Sequence, residues 1–218
     1  MVNDLILRIC VSIPGFLFAV VCHEWAHAYV AHKFGDDTAK RHGRLSLNPM
    51  AHIDWLGTVI LPLILAFIGG MMFGWAKPVP VDARGFKDIR KSIFWVSFAG
   101  PLANIVVAVI VCFLLACMVT FVPRDFYLFE PFILILTSAM QINIVLAIFN
   151  LIPFPPLDGS KMISAFMDYN MLRKYETLTT YSFPIMIVLM WTGALGYIIG
   201  PFIMLGNGLF HFFISVMA

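Results

Sequence analysis

The chain has 218 residues, 61% of them hydrophobic and only 12% charged, with a mean hydropathy of +0.92 and a formal net charge of +2. Soluble domains carry about 25% charged residues, so no stretch has the polar content of a water-soluble enzyme. The small charge and the lack of a long basic run exclude nucleic acid as a partner. The four cysteines, Cys10, Cys22, Cys112 and Cys117, sit in apolar runs and read as weakly polar packing rather than as a disulfide framework.

A spanning helix needs roughly 20 mostly apolar residues. In chain order, residues 5–32, 55–76, 92–121, 132–152 and 182–202 qualify or come close, and 203–217 forms a last apolar piece. The first stretch contains Asp4 and Arg8 near its start and lacks a small-residue cleavage site, which reads as a retained helix rather than a signal peptide. The expected fold is therefore an all-α polytopic membrane protein, a bundle of about five or six transmembrane helices in a single domain over 1–218. Its core is expected over about 5–170, followed by C-terminal helices over about 181–217.

Loop charges set the topology. Lys33, Lys40, Arg41 and Arg44 follow the first stretch, and Lys77, Arg84, Lys87, Arg90 and Lys91 follow the second. Basic short loops stay in the cytoplasm, so both loops belong on one side. A single crossing by 55–76 would separate them. A re-entrant segment near residues 55–80 resolves the conflict, and Pro62, Gly69-Gly70, Gly74, Pro78 and Pro80 supply the breaks it needs; the plainer reading is a fifth spanning helix. Such backbone at membrane depth must be buried in protein or line a wet cavity.

His23-Glu24-Trp25-Ala26-His27 carries the chemistry. Positions i and i+4 share a helix face, so both imidazoles can grip one metal ion, with Glu24 beside them as general base. An ionisable group at mid-membrane costs about 2.5–3.5 kcal/mol on insertion scales, and a metal ion compensates three of them together. Catalytic zinc takes three protein ligands and keeps one position open. His32, His42, His52, His211 and several acids are candidates for the third. His32 lies five residues past His27 and turns to another face, while His42 falls in a charged loop. Asp158 is better placed. Pro153, Pro155 and Pro156 stop the fourth helix, Gly159 permits a sharp turn or close approach, and the charge pattern brings Asp158 to the same membrane face as the first helix's end. The plainer reading makes Asp158 the cap of a short helix beginning at Ser160.

His23-Glu24-Trp25-Ala26-His27, Ala99-Gly100-Pro101-Leu102-Ala103-Asn104 and the stretch from Asn150 to Gly159 together resemble the site-2 protease family of intramembrane zinc metalloproteases. The resemblance spans about residues 10–170 and describes a compact member without a PDZ-sized insertion. It implies Zn2+ held by His23, His27 and Asp158, Glu24 as the base, and Asn150 lining the site as a catalytic contributor. It also implies substrates that are transmembrane proteins, cleaved within the lipid bilayer. The expected location is the cell membrane, multi-pass, with the active site toward the cytoplasm. Gly74 to Val81 is a candidate extended edge for substrate strand addition. Asn104 reads as a helix-to-helix hydrogen bond, with Gly100 allowing close contact.

Three other functions compete. A metal-ion or proton transporter would show repeat symmetry or paired polar helices, and neither is present. A di-iron bundle needs a second Glu-x-x-His, which the chain lacks. An inactive scaffold of the same fold is opposed by the complete His-Glu-x-x-His and Leu-Asp-Gly motifs.

Overall fold

The computed structural model describes residues 2–67 and 74–217. No strand occurs among the described residues, and four helices there are long and apolar enough to cross a membrane. They are α1 (Val2–Lys33, apolar from Ile9), α4 (Ile89–Phe121), α5 (Phe129–Leu151) and α9 (Ala194–Met217). Shorter helices lie between them: α2 (Thr38–Arg41), α3 (Leu61–Phe67), α6 (Asp158–Ser164), α7 (Tyr169–Glu176) and α8 (Ser182–Trp191). Helix is the expected outcome for such runs, because a segment in lipid must satisfy its backbone polar groups internally. Polar caps mark where the chain leaves the apolar zone: Asp88 accepts from the Lys91 N–H at 3.1 Å, and Asp168 from that of Met171 at 2.8 Å.

Helices α1, α4 and α5 pack as a three-helix core, and α9 lies against α4 and α5. Val111, Cys112, Ala139 and Met140 fill the core at one end, backed by Leu209, Phe210 and Phe213 of α9. Ala31, Phe86 and Val96 form a second cluster near the end of α1.

Between α1 and α4 two described limbs of the chain lie side by side. Residues Trp55–Ile60 form a π-helical turn that runs into α3. From Gly74 the backbone is extended and lies beside the entering limb. The Trp75 N–H donates to the Gly57 carbonyl at 3.1 Å, the Lys77 N–H to that of His52 at 2.9 Å, and the Thr58 hydroxyl to that of Trp75 at 2.8 Å. Both limbs end side by side, as the re-entrant path inferred from loop charge requires. The Gly69-Gly70 pair of that expectation lies outside the described residues.

The C-terminal part differs from the sequence reading. The stretch 182–202 does not form one helix. Helix α8 stops after ten residues, the chain turns at Thr192-Gly193 with Gly193 at φ +72°, and the long helix starts at Ala194. Hydropathy is continuous through this point, so the break is carried by one glycine in a left-handed conformation.

A buried carboxylate joins the two basic loops. Asp36 accepts from the Thr38 N–H at 2.8 Å and from the Asp82 N–H at 2.7 Å. Asp36→Ala leaves two N–H groups without their acceptor, at a cost of about 1–3 kcal/mol. Thermal unfolding in detergent is expected to show a lower midpoint for this variant. An unchanged midpoint would mean that the loops are not coupled through this side chain.

Candidate metal centre

Helix α1 places His23 and His27 one turn apart on a buried face, about 15 and 9 Å before its end at Lys33 at 1.5 Å per residue. Asp158 reaches them from α5's far side. That helix ends at Leu151, the backbone runs through Pro153, Pro155 and Pro156 without helical pairing, and Asp158 opens α6. Gly159 fits because its backbone presses on the preceding helix end: a Cβ there would stand 2.6 Å from the Ile152 carbonyl oxygen. The cap at the start of α6 is Leu157, and the Asp158 carboxylate points into the bundle.

Three atoms converge. His23 Nε2 and His27 Nε2 are 3.0 Å apart, and each stands 3.1 Å from Asp158 Oδ2. All three residues are buried, and theirs is the one group of potential metal-binding side chains found among the described residues. The other faces of the rings are occupied. His23 Nδ1 meets Asn104 Oδ1 at 2.6 Å, and His27 Nδ1 donates to the Val96 carbonyl at 2.6 Å. The Lys161 ammonium donates to Asp158 Oδ1 at 3.3 Å.

This donor set fits zinc. With each Nδ1 proton committed to an oxygen, both Nε2 atoms present lone pairs, and so does the carboxylate. Three acceptors facing one another without a proton repel unless a cation lies among them. Atoms held at about 2.0–2.2 Å from one tetrahedral ion stand roughly 3.3–3.6 Å from each other, a little wider than the 3.0–3.1 Å observed. Each imidazole carries the outer hydrogen bond that metal-ligating histidines show.

Helix α4 seats the pair. A Cβ on Gly100 would lie 2.6 Å from His23 Nε2 and Cε1, and closer still to His27 Nε2. Only glycine lets both rings rest on this backbone. Glu24, half-buried beside the cluster, accepts through Oε2 from the Val79 N–H at 3.1 Å. The returning limb thus touches α1.

Of the residues expected from sequence, His23, His27 and Asp158 come together, and Glu24 stands next to them in the chain. Asn150 occupies the last turn of α5 with its amide donating to the Leu146 carbonyl at 3.0 Å. Three of the rival third ligands are engaged elsewhere: His32 with Asp37 at 2.5 Å, His42 with the Thr38 carbonyl, and His52 with the Ser46 carbonyl at 2.7 Å. Sequence reasoning missed Asn143, the Val96 carbonyl and the Val79 N–H. Asn143 had a signal, a polar residue in an apolar helix. Val79 had one as well, since Pro78 and Pro80 leave it the sole N–H donor of its tripeptide.

The pattern of peptidase family M50 matches residues 126–193, which include the Pro-rich break and Asp158. The chain is similar to "Putative zinc metalloprotease YwhC" of Bacillus subtilis (strain 168), 40% identical over 85% of this chain and 82% of that protein. It is also similar to "Putative zinc metalloprotease Rip2" of Mycolicibacterium smegmatis, 30% identical over 84% of this chain and 67% of that protein. No solved structure matches at a significant level. A helical multi-pass membrane fold, a buried two-histidine, one-aspartate cluster and relatives of this closeness lead to one conclusion: the chain belongs to peptidase family M50, the site-2 protease family, and is a zinc metalloprotease of the membrane.

Proposed function

We propose that the protein hydrolyses peptide bonds in transmembrane segments of membrane-protein substrates, with His23, His27 and Asp158 holding the zinc and Glu24 as general base. The observation that carries this reading is the convergence of three buried lone-pair atoms within 3.1 Å, with a carboxylate on the residue after His23. When bound, zinc acidifies a water and polarises the scissile carbonyl. Glu24 takes the proton of the attacking water and returns it to the leaving amine. Its bond from Val79 uses one lone pair of Oε2 and leaves the carboxylate three more sites for that task. Asn150 spends one of its two amide N–H donors on the Leu146 carbonyl, and the second serves the substrate backbone or the developing oxyanion.

A helical substrate hides its peptide groups, so it unwinds before cleavage. The extended limb from Gly74 offers an edge for the unwound strand. Its Trp75, Lys77 and Val79 N–H groups all turn inward, to Gly57, His52 and Glu24. Residues 76, 78 and 80 face the other way, and Pro78 and Pro80 have no N–H to donate. A substrate strand on that edge is therefore held mainly through its own N–H groups, donated to carbonyls of the limb. The basic loops flanking the site favour a position near the cytoplasmic face of the cell membrane, a face where water would reach it. Quantitative proteomics of membranes carrying the wild-type chain or Glu24→Gln tests this reading. Transmembrane proteins should accumulate uncut in the variant; identical cleavage patterns would refute it.

A further inference from the structure

The site lies against a pair of asparagines that the reaction as described does not use. Asn104 on α4 and Asn143 on α5 are both fully buried. Asn104 Nδ2 donates at 3.0 Å to the Ala19 carbonyl on α1 and at 3.0 Å to Asn143 Oδ1. Asn143 Nδ2 in turn donates to the Ala139 carbonyl at 2.8 Å. The remaining atom, Asn104 Oδ1, faces His23 Nδ1 at 2.6 Å.

A side-chain amide can sit either way round, and its partners decide which. Turning Asn104 over would set its Oδ1 against the Ala19 carbonyl and Asn143 Oδ1, two acceptors. Turning Asn143 over would oppose its Oδ1 to the Ala139 carbonyl. Backbone carbonyls cannot change role, so the chain of choices ends on two fixed acceptors. Asn104 must therefore offer oxygen to His23, and His23 must carry its proton on Nδ1. We infer that Asn104 is a positioning residue of the metal centre, with Asn143 as its anchor: the pair selects the His23 tautomer whose Nε2 lone pair is free to bind zinc. The Ala19 and Ala139 carbonyls thus decide, through two amides, which nitrogen of His23 is a ligand. This inference rests on the reading of His23 as a zinc ligand.

The alternative is that the two amides only join three helices. Two variants of Asn104 separate these roles, because both Asn104→Leu and Asn104→Asp lose the donations to Ala19 and Asn143. Only the aspartate keeps an oxygen for the His23 Nδ1–H. The test uses the full-length chain in detergent, with zinc affinity read by chelator competition and the unfolding midpoint of the metal-free protein read in parallel. Asn104→Leu is expected to weaken zinc binding about tenfold to a hundredfold, and Asn104→Asp to restore it to within about threefold of wild type. Should the buried carboxylate block assembly, Asn104→Thr supplies an uncharged oxygen for the same comparison. Asn143→Leu, which leaves Asn104 in place but removes its anchor, is expected to weaken binding by about tenfold or less. Equal affinities for Asn104→Leu and Asn104→Asp, or wild-type affinity in Asn104→Leu or Asn143→Leu alongside a lower midpoint, would overturn the inference. His23→Ala provides the separate control: if it binds zinc as wild type does, the ligand reading itself fails.

Discussion

Purified Glu24→Gln is expected to keep one zinc per chain and to lose peptide hydrolysis by about a hundredfold to ten-thousandfold. That range is what positioned general acid–base groups contribute. The separation of the two effects follows from the geometry. Glu24 is not among the three converging atoms, so replacing it removes no ligand. The glutamine oxygen can still accept from the Val79 N–H, which keeps the returning limb in place. What disappears is the basic carboxylate. Zinc content measured by mass spectrometry and turnover of a transmembrane-segment substrate are the paired readouts. Loss of zinc with activity would make Glu24 a ligand, and activity within about threefold of wild type would remove it as the base.

Gly100→Ala has the second large effect, and it separates the metal centre from the fold. The new Cβ would stand 2.6 Å from His23 Nε2 and Cε1, too close for any side chain. Neither ring can withdraw, since Asn104 holds the far nitrogen of His23 and the Val96 carbonyl that of His27. Overpacking of this kind costs about 1–3 kcal/mol, while replacing glycine by alanine in a helix interior returns up to about 1 kcal/mol. The net change in stability is therefore modest. The displaced nitrogens are the two that face Asp158, so zinc affinity should fall by at least about tenfold. Chelator competition beside a thermal melt measures both quantities. Wild-type affinity in Gly100→Ala would show that the imidazoles do not rest on α4.

The parts of this arrangement that were readable in the sequence are those set by local rules. His23 and His27 share a face because of helical periodicity alone. Asp158 could be singled out because three prolines end α5 and restrict where the next carboxylate goes. The re-entrant limb followed from counting Lys and Arg on either side of 55–76, with no reference to structure. The C-terminal helices were harder. The apolar run from Ser182 to Pro201 passes through Thr192 and Gly193 without a charged residue, so hydropathy could not locate the break between α8 and α9. One support for the imidazoles was not readable at all. The Val96 carbonyl is a backbone atom brought to His27 by tertiary packing, and it leaves no mark in the sequence; the Val79 N–H that meets Glu24 was marked only by the prolines on either side of it. Asn104 was read as a bond between helices, which is correct for Ala19 and Asn143 but omits the bond to His23. Pairing across 81 residues of chain has no local signature.

Zinc content of the purified chain bears most directly on the central claim that two imidazoles and one carboxylate share an ion. The wild type should carry one zinc, and Asp158→Ala, with only His23 and His27 left, should lose it on dialysis against a mild chelator while keeping its helical circular dichroism. A full zinc complement in Asp158→Ala under the same dialysis would contradict the account.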